Sequence, residues 1–149
     1  MASTTMYAVK AALLTKLQAD STLTNIQVTY ADSGGAMRRE SVFMGDINSS
    51  EQVPESLSSG RRRRIEDFTL DVHVAVQSKA QGVQEGEERA VVLAAAVEGV
   101  VSDYPQLGGG VTGLMFCEVS GMSMSSSEAG ADGPRIFCTV HVRVKARLS

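Results

Sequence analysis

The chain reads as an α+β domain: an antiparallel-rich mixed sheet of about five strands with two helices on one face. The expected order is α-β-β-β-α-β-β, with a long projecting hairpin or loop arm. Three observations predict this. Residues 68–77 alternate strictly, with Phe68, Leu70, Val72, Val74 and Val76 on one side and Thr69, Asp71, His73, Ala75 and Gln77 on the other. The same period of two returns over Ile136–Lys145. Two separate segments instead carry apolar stripes at three- and four-residue steps. Period two is the signature of a half-buried strand, and a period near 3.6 that of an amphipathic helix.

The first helix is expected over residues 3–20, where Met6, Val9, Leu13 and Leu17 form the stripe and Ser3 is a candidate N-cap. Leu23 can fold back onto the core, and Ile26, Val28 and Tyr30 alternate as a short strand. Asp32-Ser33-Gly34-Gly35 is a turn signal. A second strand is expected over Ser41–Ile47, with Val42 and Met44 on one face and Phe43 on the other. Residues 48–60 have no period and are rich in Ser and Glu, so residues 48–64 are expected to be a flexible loop within a single domain spanning 1–149. The third strand, Ile65–Gln77, would extend roughly 43 Å at ~3.3 Å per residue. A compact domain of this size is about 38 Å across. That excess is the argument for an arm.

Residues 81–86 read as a connector. Residues 87–104 form the clearest helix, with Ala90, Leu93, Ala94, Val97, Val100, Val101 and Tyr104 as its stripe. Pro105 and Gly108-Gly109-Gly110 end it. A fourth strand over Leu114–Met124 changes parity, which predicts a bulge at Ser120-Gly121. Residues 125–133 are expected to be a flexible turn before the final strand, closing a terminal hairpin.

The chain has 149 residues, enough for one domain with a real core. No apolar run approaches the roughly 20 residues that span a bilayer, and no basic-then-apolar leader pattern is visible. Cys117 and Cys138 are the only cysteines and read as small buried hydrophobes in a reducing compartment. The net charge of −3 is unevenly spread. Residues 80–134 hold eight acids and Arg89 alone as a base, while Arg135, Arg143, Lys145 and Arg147 close the chain with no acid.

Catalytic chemistry is not expected. Gly108–Gly113 lacks the Gly-Lys-Ser/Thr ending of a phosphate loop and follows a helix. No serine sits in a Gly-x-Ser-x-Gly turn. Glu85, Glu87 and Glu88 read as a solvated helix start. His73 and His141 fall on the wet faces of their strands and could meet if those strands were neighbours, but no ligand spacing supports a metal. No cofactor is expected.

The four consecutive arginines Arg61, Arg62, Arg63 and Arg64 admit three readings. They could face DNA, neutralising phosphates. They could form a solvated loop tip. Or they could meet the acidic block of residues 80–134 on a neighbour, which accounts for both the strand's length and the charge asymmetry. On that reading the candidate subunit or partner interface comprises Arg61, Arg62, Arg63, Arg64, Glu87, Glu88, Arg143 and Lys145.

The layout resembles the tail terminator (tail completion) proteins of long-tailed phages. The residues that carry this are Leu17-Gln18-Ala19-Asp20-Ser21-Thr22-Leu23 closing the first helix, the strand at Val28, Phe43-Met44-Gly45-Asp46, and Glu66-Asp67-Phe68-Thr69-Leu70-Asp71-Val72. The second helix and terminal hairpin complete the pattern. The resemblance implies a structural virion protein of the tail or neck, assembled in the host cytoplasm. It would form a hexameric ring that caps the tail tube, ends its polymerisation and joins it to the head connector. Its partners would be further copies of itself, the tail tube protein and a head–tail connector or stopper protein. Genome DNA would pass through without sequence-specific binding, and no membrane is involved. The family shares no catalytic residues. The alternatives are a nucleic-acid-binding accessory protein, or a related head–tail stopper or minor tube protein.

Overall fold

The computed structural model describes residues 3–32, 34, 39–54, 63–78, 82–130 and 133–148. Helix α1 (Met6–Gln18) is followed by strands β1 (Gln27–Thr29), β2 (Glu40–Pro54) and β3 (Arg64–Gln77). Helix α2 (Val83–Asp103) then leads to β4 (Leu114–Gly130) and β5 (Gly133–Leu148). Short 3-10 turns occupy Ser21–Leu23 and Leu107–Gly109. The strands form one sheet in the order β1-β2-β3-β5-β4. β1 runs parallel to β2, and every other pairing is antiparallel. The expected α+β architecture and element order are therefore observed.

The sheet's two faces follow parity. Phe68, Leu70, Val72 and Val74 of β3, with Ile136, Cys138, Val140, Val142 and Val144 of β5, are wholly buried. They share one core with Val9, Leu13 and Leu17 of α1 and with Ala90, Leu93, Ala94 and Val97 of α2. The small residues of α2 let its axis settle closely on β3, β5 and β4, while α1 lies beside it over β1 and β2. Among the described residues, no helix lies over the opposite face of the sheet.

Helix α2 begins at Val83, inside the stretch read as a connector. Gly86, the last residue of that expected connector, is instead a packing glycine within the helix. A Cβ there would stand 2.3 Å from Cδ1 of Ile136. The helix ends at Asp103, so Tyr104 leaves the buried stripe and is exposed. Its ring lies under Lys16, with Nζ 4.2 Å from the centroid. At the other end of the layer, Thr5 and not Ser3 precedes the first turn of α1.

β2 continues through Pro54, so residues 48–54 are strand and not loop. The reason lies in two register shifts, between Met44 and Ile47 and between Asn48 and Glu51. Ser49 sits at the second with φ of 55°. Each shift exchanges the faces of the residues beyond it, erasing the alternation that marks a strand. β4 likewise runs on through residues 125–130, read in sequence as a turn. Residues Ser123–Ser127 are exposed on both faces, so pairing with β5 and not burial holds them in the sheet. The bulge expected at Ser120-Gly121 is present, as a register shift between Val119 and Gly121.

β3 spans almost the expected residues, but it does not extend alone. β5 pairs with it from Arg64 to Gln77, and β2 flanks it from Arg64 to Val76. Its length is taken up within an equally long sheet. Residues 55–62, which connect β2 to β3 and include Arg61 and Arg62, lie outside the described residues.

Candidate functional site: a polar sheet face and two charged ends

The helix-free face is built from the odd-numbered residues of β3 and β5, which strand pairing brings into lateral contact. Arg143 lies at its centre. Its Nε and Nη2 donate to Asp67 Oδ1 and Oδ2 at 3.3 and 2.8 Å, and its Nη1 donates to Glu118 Oε1 at 3.4 Å. One guanidinium thus ties β3, β5 and β4 together. The Arg143 hydrogen bonds hold the Asp67 carboxyl below its usual range against the opposing effect of burial, helped by the positive charges of Arg143 and Lys145. Lys145 stands directly opposite Asp67 in the ladder.

The two histidines do lie on neighbouring strands of this face, but each has its own partner. His141 Nδ1 donates to Asp71 Oδ1 at 2.7 Å, and Asn48 Nδ2 donates to Asp71 Oδ2 at 2.8 Å. His73 Nδ1 is 2.9 Å from Thr139 Oγ1. The His73 ring also packs against Phe43 at 5.2 Å and covers Gly45, where a Cβ would lie 2.2 Å from His73 Nε2. Glycine at this β2 bulge is what lets the imidazole lie flat on the strand. Among the described residues no group of three His, Cys, Asp or Glu side chains is placed to hold a metal.

At the Arg64 end of the sheet a second polar cluster was missed by the sequence reading. Glu66 is fully buried, on the core face in phase with Phe68. Its Oε1 accepts from Thr5 N at 2.8 Å and Thr5 Oγ1 at 2.6 Å, and its Oε2 from Gln52 Nε2 at 3.1 Å. Gln52 Nε2 also donates to Ser3 O at 2.9 Å, while Gln52 Oε1 accepts from Arg64 Nη1 at 2.8 Å. Burial pushes the Glu66 carboxyl up, but hydrogen bonds from the side chains of Thr4 and Thr5, the Thr5 backbone and Gln52 outweigh it and hold it below 4.5. α1 has no acid in its own first turn. Glu66 supplies the negative charge from across the core, where the helix dipole favours it. Parity alone could have revealed this, because an acid in phase with a core-facing run needs buried donors.

The charged candidates divide as follows. Arg63 is exposed, whereas Arg64 is half-buried against Gln52 and belongs to β3. Arg61 and Arg62 lie outside the described residues. Glu87 accepts from Ser126 Oγ at 2.7 Å, and Glu88 from Gln84 Nε2 at 3.3 Å. Both acids sit at the opposite end of the sheet from Arg64. Arg64 is level with Leu148 and Ser126 with Ile136, which separates the two ends by roughly 40 Å along β5. Arg64 and Glu87 therefore cannot meet within one chain. Arg143 is engaged inside its own sheet, by Asp67 and by one acid of the 80–134 block, Glu118.

Beside Glu87 and Glu88 runs a shallow groove of about 380 Å³ between α2 and β4, lined also by Gln84, Val91 and Met124. Val91 is 46% and Met124 41% exposed.

No family model matches this chain, and no curated protein matches it. Among solved structures it is similar to a chain described as part of the virion of a native gene transfer agent (GTA) particle. The two are 20% identical, with a TM-score of 0.58, and the match covers 97% of this chain and 100% of that one. At this identity the likeness shows a shared fold.

Proposed function

We propose that this chain is a structural virion protein of the tail or neck. It forms a ring, hexameric as in the tail terminators it resembles, that caps the tail tube, ends its polymerisation and joins it to the head connector. The observation that carries this reading is the full-length correspondence of its fold to a chain of a GTA virion particle. The surface chemistry is compatible with it. Polar groups of the helix-free face are engaged with one another as Asp67–Arg143–Glu118 and Asp71–His141, an arrangement that stiffens a sheet. The partners on this reading are further copies of the chain, the tail tube protein and a head–tail connector or stopper. Genome DNA passes through the central hole.

A duplex-binding accessory role has less support. Arg143 and Lys145 share a face, but Asp67, Asp71 and Glu118 are interleaved with them. Such a surface offers phosphates little net attraction. Electron microscopy of particles made without the protein tests the proposal directly. Overlong or headless tails are expected, and tails of normal length joined to heads would sink it. A stopper or minor tube subunit would instead leave tails that leak DNA or fail to elongate.

A further inference from the structure

Resting on the ring reading above, we infer that a row of side chains on the helix-free face, Arg39, Gln77 and Arg135, is the seat for the start of α2 of a second copy of this chain. Strand pairing makes the row. Gln77 is level with Arg135, and its N–H donates to Arg39 O at 2.7 Å, which sets Arg39 opposite it at the entry to β2. The two arginines are therefore two strand spacings, roughly 10 Å, apart along the row. Both are exposed, and both line one cleft with Gln77, Ala75 and the half-buried Phe137. Elsewhere guanidiniums are met by acids: Asp67 and Glu118 hold Arg143, and Glu40 holds Arg89. Among the described residues no carboxylate is paired with Arg39 or Arg135. Two such guanidiniums beside an aromatic ring suit carboxylates carried on a partly apolar support.

The start of α2 is the chemical complement. Glu87 and Glu88 have only neutral partners, Ser126 and Gln84, and Val91, one turn further on, is 46% exposed. Spacing agrees as well as charge. Phe137 lies two residues beyond Arg135 on β5, roughly 6.6 Å. Val91 lies one helical turn, about 5.4 Å, beyond Glu87 and Glu88. Seating the two carboxylates on Arg39 and Arg135 therefore brings Val91 onto Phe137. The match cannot be made within one molecule. Glu87 is tied to Ser126, which pairs with Ile136, next to Arg135, so the two surfaces share one level of the sheet but lie on its opposite faces. They are different surfaces, so the contact is head-to-tail. Because they are level, successive copies need no step along the strands, and this favours a closed ring over a climbing filament.

The test is a Gln77→Cys, Val91→Cys variant treated with a short bifunctional maleimide, which leaves all four charges in place. Cys117 and Cys138 are buried and do not compete. The expected product is a covalent ladder ending at the copy number of the ring. Each single variant alone should stay monomeric, and an equal mixture of the two should give dimer and nothing larger. Dimer from one single variant, or no ladder from material that electron microscopy shows as rings, overturns the inference and leaves the ring standing. Protein that stays monomeric by light scattering overturns the ring reading and this contact with it. As a second measurement, Arg135→Glu and Glu88→Arg should each weaken assembly on the order of tenfold, and the two together should restore it. Failure of the swap to restore assembly, with both parents folded, counts against the seat. Loss of duplex DNA retention in Arg135→Glu with assembly unchanged would assign the row to phosphate and overturn the contact.

Discussion

Glu66→Gln is the sharpest single perturbation of this fold, because it changes charge and one donor while leaving shape intact. The wild-type carboxylate accepts from Thr5 N, Thr5 Oγ1 and Gln52 Nε2, with the Thr4 hydroxyl also favouring its charged form, in a site with no solvent access. An amide has one oxygen. Turned towards Thr5, it places its NH₂ against the Gln52 Nε2 donor, and turned the other way it opposes the Thr5 N–H. Losing charge assistance and leaving one buried donor unpaired costs about 2–4 kcal/mol. In a domain of this size that lowers Tm by about 6–12 °C.

The pH dependence carries the diagnostic sign. The folded carboxyl is held below its usual 4.5, so its contribution is fully present above 4.5 and is lost as pH falls through the folded value. Urea unfolding followed by circular dichroism should therefore show the full gap between wild type and variant at about pH 7, narrowing at about pH 3.5. A gap under about 0.5 kcal/mol at neutral pH, or one that does not change on acidification, would refute the argument that Glu66 anchors α1 as an ion.

Three further outcomes are expected. Gly86→Ala drives a Cβ to within 2.3 Å of Ile136 Cδ1 and should cost about 1–3 kcal/mol, with Ile136→Val recovering part of it; additive effects in a double-mutant cycle would show that the contact is not the cause. Val140→Asp or Val72→Asp places an unpaired charge in the fully buried core, and insoluble or unfolded product is expected in expression trials, whereas a cooperative unfolding transition near wild type would contradict the placement of these faces. Burial raises the Cys117 thiol to about 12 and, with the Glu98 charge, pushes the Cys138 thiol up. Both should therefore resist a chromogenic disulfide at neutral pH until urea is added, and rapid labelling of folded protein would be the contrary result.

The arrangement of elements was legible wherever one face of an element is buried. β3, β5 and the stripes of both helices show their periods because their partners are apolar and continuous. The bulge in β4 was legible for the same reason, since Cys117 and Val119 change parity against Met122 and Met124. Legibility failed where pairing and not burial makes the strand. Residues 48–52 and 125–127 are polar on both sides, and pairing with β3 and β5 makes them strands. Gly86 was placed in a connector because a close approach to Ile136 leaves no trace in local sequence.

The candidate site divides along the same line. Amino-acid order alone determined that this is an α+β domain with opposite charges segregated along the chain and an arginine run beside a long strand. Tertiary structure alone decided which of those charges are available. It placed Arg143 against Asp67 and Glu118, so that its charge is met inside its own sheet. It put Glu66 under α1 as a structural ion, and it set Arg64 and the Glu87–Glu88 groove at opposite ends of the sheet. The physical reason is that a charge's partner is chosen by strand register and distance, and both come from pairing between segments far apart in sequence.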